Sequence, residues 1–185
     1  MPDHYPTVVV LCEDRAHYRL ARGFLMQRGF DGRKIRPHQA PAGGGDAKAY
    51  VRDQYPVELR GLRSGHVRLA LVVVMDADNV SVEERKKFLE SDAQRKSKEP
   101  VAHIVPKWQV ENWLYYLDTG TVDESQHGPG LSRYPKSTTN YDPFAKRLHG
   151  LAADWHNGLP ENGIPPSLRD ACHEWIRFKT VLGIP

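Results

Sequence analysis

Apolar residues first gather in an unbroken run, Thr7 to Cys12 (TVVVLC), of the kind that forms a strand buried on both faces of a parallel sheet. From Asp14 to Gly29 the period becomes helical: Tyr18, Leu20, Ala21, Phe24 and Leu25 make one broad stripe, and Gly29 is placed to cap its end. Lys34 to His38 predicts a short second strand, followed by the loop Pro41-Ala42-Gly43-Gly44-Gly45. Asp46 is an N-cap for a helix through about Leu62, which Pro56 is expected to kink or split. Arg68 to Met75 (RLALVVVM) is the strongest strand pattern in the chain. Ser81 with Glu84 three residues on forms a capping box that opens a charged, exposed helix. Val101 to Val105 predicts a fourth strand stopped by Pro106, and Lys107 to Asp118 a helix with Val110, Trp113, Leu114 and Leu117 on its core face.

Strands alternating with helices predict an α/β fold, a mostly parallel four-stranded sheet flanked by helices, over residues 7–118. Residues 119–140 carry no periodicity and read as a long functional loop, expected to be mobile. Two C-terminal helices are expected near Asp142–Trp155 and Ser167–Leu182, packed on the sheet or forming a small cap. Without a linker-like stretch, residues 1–185 are read as one domain, with its helical end at 141–185.

Composition narrows the class. With 39% hydrophobic and 26% charged residues, the chain is neither disordered, collagen-like nor coiled coil. Its apolar runs fall far short of the ~20 residues that span a bilayer. The start, Met1-Pro2-Asp3-His4-Tyr5, has no signal-peptide pattern. Cys12 and Cys172 fit neither a disulfide framework nor a zinc motif. A reduced, cytoplasmic protein is therefore expected. A net charge of +3 neither requires nor excludes a nucleic-acid partner.

The chemistry gathers at strand ends. In an open parallel sheet, ligands bind beyond the carboxyl ends of the strands. The first strand ends in Cys12-Glu13-Asp14 and the strongest in Met75-Asp76-Ala77-Asp78-Asn79. On extended chain, residues two apart point the same way, so Asp76 and Asp78 offer two carboxylates to one side. Glu13, Asp76 and Asp78 on one edge would repel one another without a cation between them, and Mg²⁺ or Mn²⁺ is the natural occupant for hard oxygen donors. The bland alternative is that these residues cap helices and close turns, for which Asp78-Asn79 is suited.

A Glu after the first strand followed by Asp-x-Asp after a later one resembles the Toprim domain. That domain is shared by type IA and II topoisomerases, bacterial primases, OLD-family nucleases and small anti-phage proteins. The resemblance covers about residues 7–118. Pro106-Lys107-Trp108-Gln109-Val110-Glu111-Asn112-Trp113-Leu114 is similar to the Glu-x-Trp-Leu helix that follows the last Toprim strand in small defence-associated members. The resemblance implies that Glu13 is a general acid/base or metal ligand, that Asp76 and Asp78 hold the divalent ion, and that Glu111 is a cleft-facing carboxylate rather than a solvated one. The chain departs from the pattern at Asp14, where many members have Gly.

A phosphodiester site also needs cations for the charge on the transferring phosphoryl group. Lys107, Arg133 and Lys136 are the candidates. Arg85-Lys86-Lys87 and Arg95-Lys96-Ser97-Lys98 read as a wet helix face or as contacts to a nucleic-acid backbone. Gly43 to Lys48 lacks the P-loop ending, although its N–H groups suit an anion at a helix start. The nine His residues show no metal-ligand spacing, and there is no Gly-x-Ser-x-Gly elbow. Trp108, Trp113, Trp155 and Trp175 are expected to pack in the core or cap. The expectation is a Mg²⁺- or Mn²⁺-dependent Toprim-type nuclease acting on DNA or RNA, in anti-phage defence or DNA repair. The alternative is a non-catalytic Toprim-like partner or sensor of another protein, such as an ATPase subunit. A nucleotide-sugar transferase also uses Asp-x-Asp, but leaves Glu13 and Glu111 without a role.

Overall fold

The computed structural model describes residues 5–43, 45–65, 68–156 and 163–184, without the side chains of 153–156. The expectations for Met1 to His4, Gly44 and the Trp155 side chain lie outside the described residues. Four strands, β1 (Thr7–Cys12), β2 (Ile35–Gln39), β3 (Leu69–Val74) and β4 (Val101–Ile104), form one sheet in the order β2-β1-β3-β4. Every pairing is parallel, with Cys12 opposite Val74 and Val74 opposite Ile104. The α/β architecture read from the alternation is the one observed.

Among the described residues, seven α-helices surround the sheet: α1 (Arg15–Gln27), α2 (Ala47–Arg63), α3 (Val82–Leu89), α4 (Val110–Thr119), α5 (Gly130–Arg133), α6 (Asp142–His156) and α7 (Pro166–Leu182). Their starts are set by short polar side chains. Asp14 accepts from the N–H groups of Ala16 and His17, Asp46 from those of Lys48 and Ala49, and Ser81 with Glu84 completes the capping box. Pro56 does not split α2, which runs from Ala47 to Arg63. Burial of Val51, Tyr55 and Leu59 on both sides of it holds the helix against the lost hydrogen bond. α4 starts three residues later than its pattern, because Trp108 has φ +65° and cannot continue a right-handed helix.

Alternation along the strands divides the core. Val8, Val10, Cys12, Ala70, Val72 and Val74 face Leu25 of α1 and Trp175, Phe178 and Leu182 of α7. Leu11, Leu71, Val73 and Met75 face α2 and Leu89 of α3. A further layer joins Ala16 and Leu20 of α1 to Val110, Trp113 and Leu114 of α4, to Ala145 and Leu148 of α6, and to Leu168 of α7. Both cysteines are free and buried. Among the described residues, no helix is long and apolar enough to cross a membrane.

The long loop is held down by named contacts. Glu124 caps α7, accepting from the Ser167 N–H at 2.9 Å and from its hydroxyl, while Trp113 Nε1 donates to Ser167 Oγ at 2.8 Å. Trp108 Nε1 donates to the Glu124 carbonyl at 3.2 Å. The strand order places β1 between β2 and β3. The chain therefore reverses its direction of travel across the sheet between β1 and β3, and the crevice beyond their carboxyl ends is the topological switch point.

Candidate functional site

Glu13, His17 and Asp76 meet at that crevice. One ligand atom from each lies within 4.8 Å of the others. The Cys12–Val74 register sets the first strand's end beside the third's, so Glu13 Oε1 accepts from the Asp76 N–H at 2.6 Å. His17, one turn into α1 and fully buried in its side chain, donates Nε2–H to Asp76 Oδ1 at 2.9 Å. Burial works against a charged imidazole, but Asp76, Asp14 and Glu13 outweigh it and lift the His17 pKa to about 9. Glu13 is shifted up by burial and by Asp76, against the pull of His17 and Lys48.

Lys48 comes from the first turn of α2, next to its Asp46 cap. Its Nζ lies 3.0 Å from Glu13 Oε2 and 2.8 Å from Asp78 Oδ2. The two carboxylates thus already converge on one cationic position. Asp78 sits at φ +53°, in a left-handed conformation that Asp tolerates. Its loop is fastened by Lys107, whose Nζ donates to the carbonyls of Asp78 at 2.9 Å and Val80 at 2.7 Å, and lies 4.6 Å from the centre of the Trp108 ring.

Asp14, where the Toprim pattern often has Gly, has φ −151°, extended backbone open to any residue. Its Oδ1 caps α1, and its Oδ2 accepts from Lys136 Nζ at 2.5 Å. That contact brings residue 136 of the long loop to the acidic edge. Burial opposes ionisation of Asp14, yet His17 and Lys136 hold its carboxyl below the usual range.

Glu111 is 0% exposed, and neither of its carboxylate oxygens has a hydrogen-bond partner. Burial raises its pKa, with Lys136 acting in opposition and Asp76 adding to the rise. Tyr141, also buried, is raised by burial and by Glu111. Gly130 closes over this carboxylate's helix turn: a Cβ there would lie 2.4 Å from the Glu111 carbonyl carbon, so only glycine permits the approach. A buried, unpartnered carboxylate is held at the expense of stability. Glu111→Leu should therefore raise the melting temperature by ~2–4 °C, corresponding to about 1 kcal/mol in a chain of this size. Thermal melts of the metal-free protein check this, and a fall would show that Glu111 supports the fold.

Some candidates do not join the site. Arg133 pairs with Asp118 at 3.2 Å and contacts Tyr134 and the Tyr115 ring, further along α4 than Glu111. In the basic clusters Arg85, Lys86 and Arg95 turn inward, while Lys87, Lys96, Ser97 and Lys98 are exposed. Lys86 reaches Asp170 and Glu174, Arg95 pairs with Glu174, and Arg85 donates to the Ala77 carbonyl. His17 and Lys48 were not distinguished by sequence. Their only signals are a His in the first turn after the acidic strand end and a Lys beside the Asp46 cap.

No family model and no curated protein matches the chain. Among solved structures, the C-terminal region of the Burkholderia pseudomallei OLD protein is similar, with a TM-score of 0.38, 14% identity, and 96% of this chain and 99% of that chain covered. A similarity of that degree says nothing of chemistry, which rests on the residues themselves.

Proposed function

We propose that this chain is a divalent-metal-dependent phosphodiesterase of the Toprim type that cleaves nucleic acid, in bacterial anti-phage defence or DNA repair. The observation that carries this reading is the meeting of Glu13 and Asp76, with His17, at the switch point, and the tie of Asp78 to Glu13 through the single cationic position of Lys48. The donor set fits a hard cation: carboxylate oxygens from two strand ends, with the further buried carboxylate of Glu111, which has no hydrogen-bond partner. Glu13, Asp76 and Asp78 would hold Mg²⁺ or Mn²⁺, which supplies polarisation of a scissile phosphate when bound. Glu13, aimed by the Asp76 N–H, is positioned to move the proton. Lys48 and Lys136 stand ready to neutralise phosphoryl oxygens, and Lys107 holds the Asp78 turn in place.

One observation favours a second reading, a non-catalytic partner or sensor. Lys48 and His17 already neutralise the acidic edge from within. Calorimetric titration with Mg²⁺ and Mn²⁺, paired with a strand-cleavage assay, separates the two. Under the nuclease reading the wild type binds metal and cleaves. Lys48→Gln then binds metal more tightly, because the internal competitor is gone, but cleaves more slowly. Under the sensor reading neither protein binds metal, and Lys48→Gln only lowers stability.

A further inference from the structure

Between α1 and residues 137–142 lies a cleft of about 610 Å³ that belongs to no part of the acidic edge. Its volume falls within the ~300–1,000 Å³ typical of ligand clefts. One wall carries Arg19 and Arg22, and the other Ser137, Thr138 and Asn140. Arg15, Arg19 and Arg22 stand at i, i+4 and i+7, on one face of α1. That row starts directly after Asp14 and runs about 10 Å along the axis.

An arginine row on a helix is ordinarily a solvated face. Here it is opposed by a second wall, and that wall presents donors. Asn140 Oδ1 accepts from the Asp142 N–H at 3.1 Å, so its amide NH₂ is not used in that bond. Thr139 Oγ1 donates to the Pro135 carbonyl at 2.8 Å, and Ser137, Thr138 and Asn140 are exposed. Among the described residues, no carboxylate is ion-paired with Arg19 or Arg22, and Asp142 is the acidic group on the lining. The contrast with Arg63, Arg95 and Lys86, each engaged by an internal carboxylate, is sharp. At its inner end the cleft abuts the site: Tyr141 lines it and is coupled to Glu111, and Lys136 precedes Ser137 and reaches Asp14.

We infer that this cleft is a track for the sugar-phosphate backbone of a single nucleic-acid strand, which Arg19 and Arg22 grip on its way to the acidic edge. The inference rests on the nuclease reading for the identity of the ligand. Arginines on one wall with hydroxyl and amide side chains on the other match successive phosphates, and backbone contacts carry no base sequence. Two walls enclose one strand, as grooves that follow single strands do.

Fluorescence anisotropy with labelled oligo-dT and oligo-dA in EDTA tests it on the whole chain. The wild type should bind both with similar affinity, and more tightly than a blunt duplex. Arg19→Ala with Arg22→Ala should weaken binding about tenfold or more, and lower the salt slope by about 1.4, the loss of two single-strand phosphate contacts. Arg60→Ala, on the exposed face of α2, is the control and should bind as the wild type does. Folding of the double variant is checked by its melting temperature. A double variant with wild-type affinity and slope, a wild type that binds no strand, or a duplex preference overturns the track. Cleavage that depends on Asp76 alongside such a result leaves the nuclease reading intact. Strand binding lost in the double variant, with no cleavage under any metal, sustains the track and defeats the nuclease.

Discussion

Asp76→Ala should abolish metal-dependent cleavage, by at least ~10³-fold, and remove the heat of Mg²⁺ or Mn²⁺ binding. It should also lower the melting temperature of the metal-free protein. Seen from sequence, three clustered carboxylates repel, and loss of one is expected to leave stability equal or higher. The structure reverses that sign for Asp76, because its carboxylate is the partner of the buried His17 imidazole. Removing it strands that ring, at about 1.5–3 kcal/mol for a hydrogen bond to a charged group. Asp76→Asn keeps an acceptor for His17 and should fall less far in stability while losing metal binding equally. Calorimetry and thermal melts on the two variants separate these effects. Metal binding that survives in Asp76→Ala would refute the proposed site, and a rise in melting temperature would refute the role given to His17.

The second large effect lies far from the site. Glu174→Ala should destabilise the protein by about 3–5 kcal/mol, a fall of ~6–20 °C in melting temperature. Glu174 of α7 accepts from Arg95 at 2.5 and 2.7 Å, from Lys86 at 3.1 Å, and from the His103 N–H of β4 at 3.3 Å. Its removal leaves Arg95 half-buried without its closest carboxylate and Lys86 with Asp170 alone, and frees α7 from the edge of the sheet. Burial disfavours the charged carboxylate, but Arg95 and Lys86 hold it well below its ordinary 4.5. The folded state therefore binds this proton more weakly than the unfolded chain does. Its contribution is complete above about pH 4.5 and is lost as the pH falls below that value. His103 adds an earlier loss in the same direction, since burial and then Arg95 keep it neutral well below 6.5. Urea melts across the acid range should show a steeper loss of stability below about pH 4.5 in the wild type than in Glu174→Ala, Glu13 and Glu111 acting in the opposite direction in both proteins. An unchanged acid profile would show that the network contributes nothing.

What was legible in the chain was what is decided locally. A β-branched run has one good outcome when both its faces are apolar, and Thr7–Cys12 and Leu69–Val74 took it. Caps reach their backbone partners within three residues, so Asp46 and Ser81 announced their helices. Parallel strands bring their carboxyl ends to one edge, and this let the meeting of Glu13 with Asp76 be expected. Pro56 marks where local rules lost: packing of Val51, Tyr55 and Leu59 on the sheet outweighed one missing backbone bond.

Tertiary structure alone decided what covers each side chain and which charges meet. A helical wheel gives the direction of Glu111 but not the Gly130 turn that closes over its helix, so a residue with a solvated default is fully buried. Lys86 and Arg95 look like wet surface until Glu174, 88 and 79 residues away, turns them inward. His17 and Lys48 enter the site from two different helices, and no spacing in the sequence links them to Glu13, Asp76 and Asp78. Backbone geometry is set by neighbours a few residues apart and can be read along the chain. Burial and ion pairing are set by residues that become neighbours only when the chain has folded.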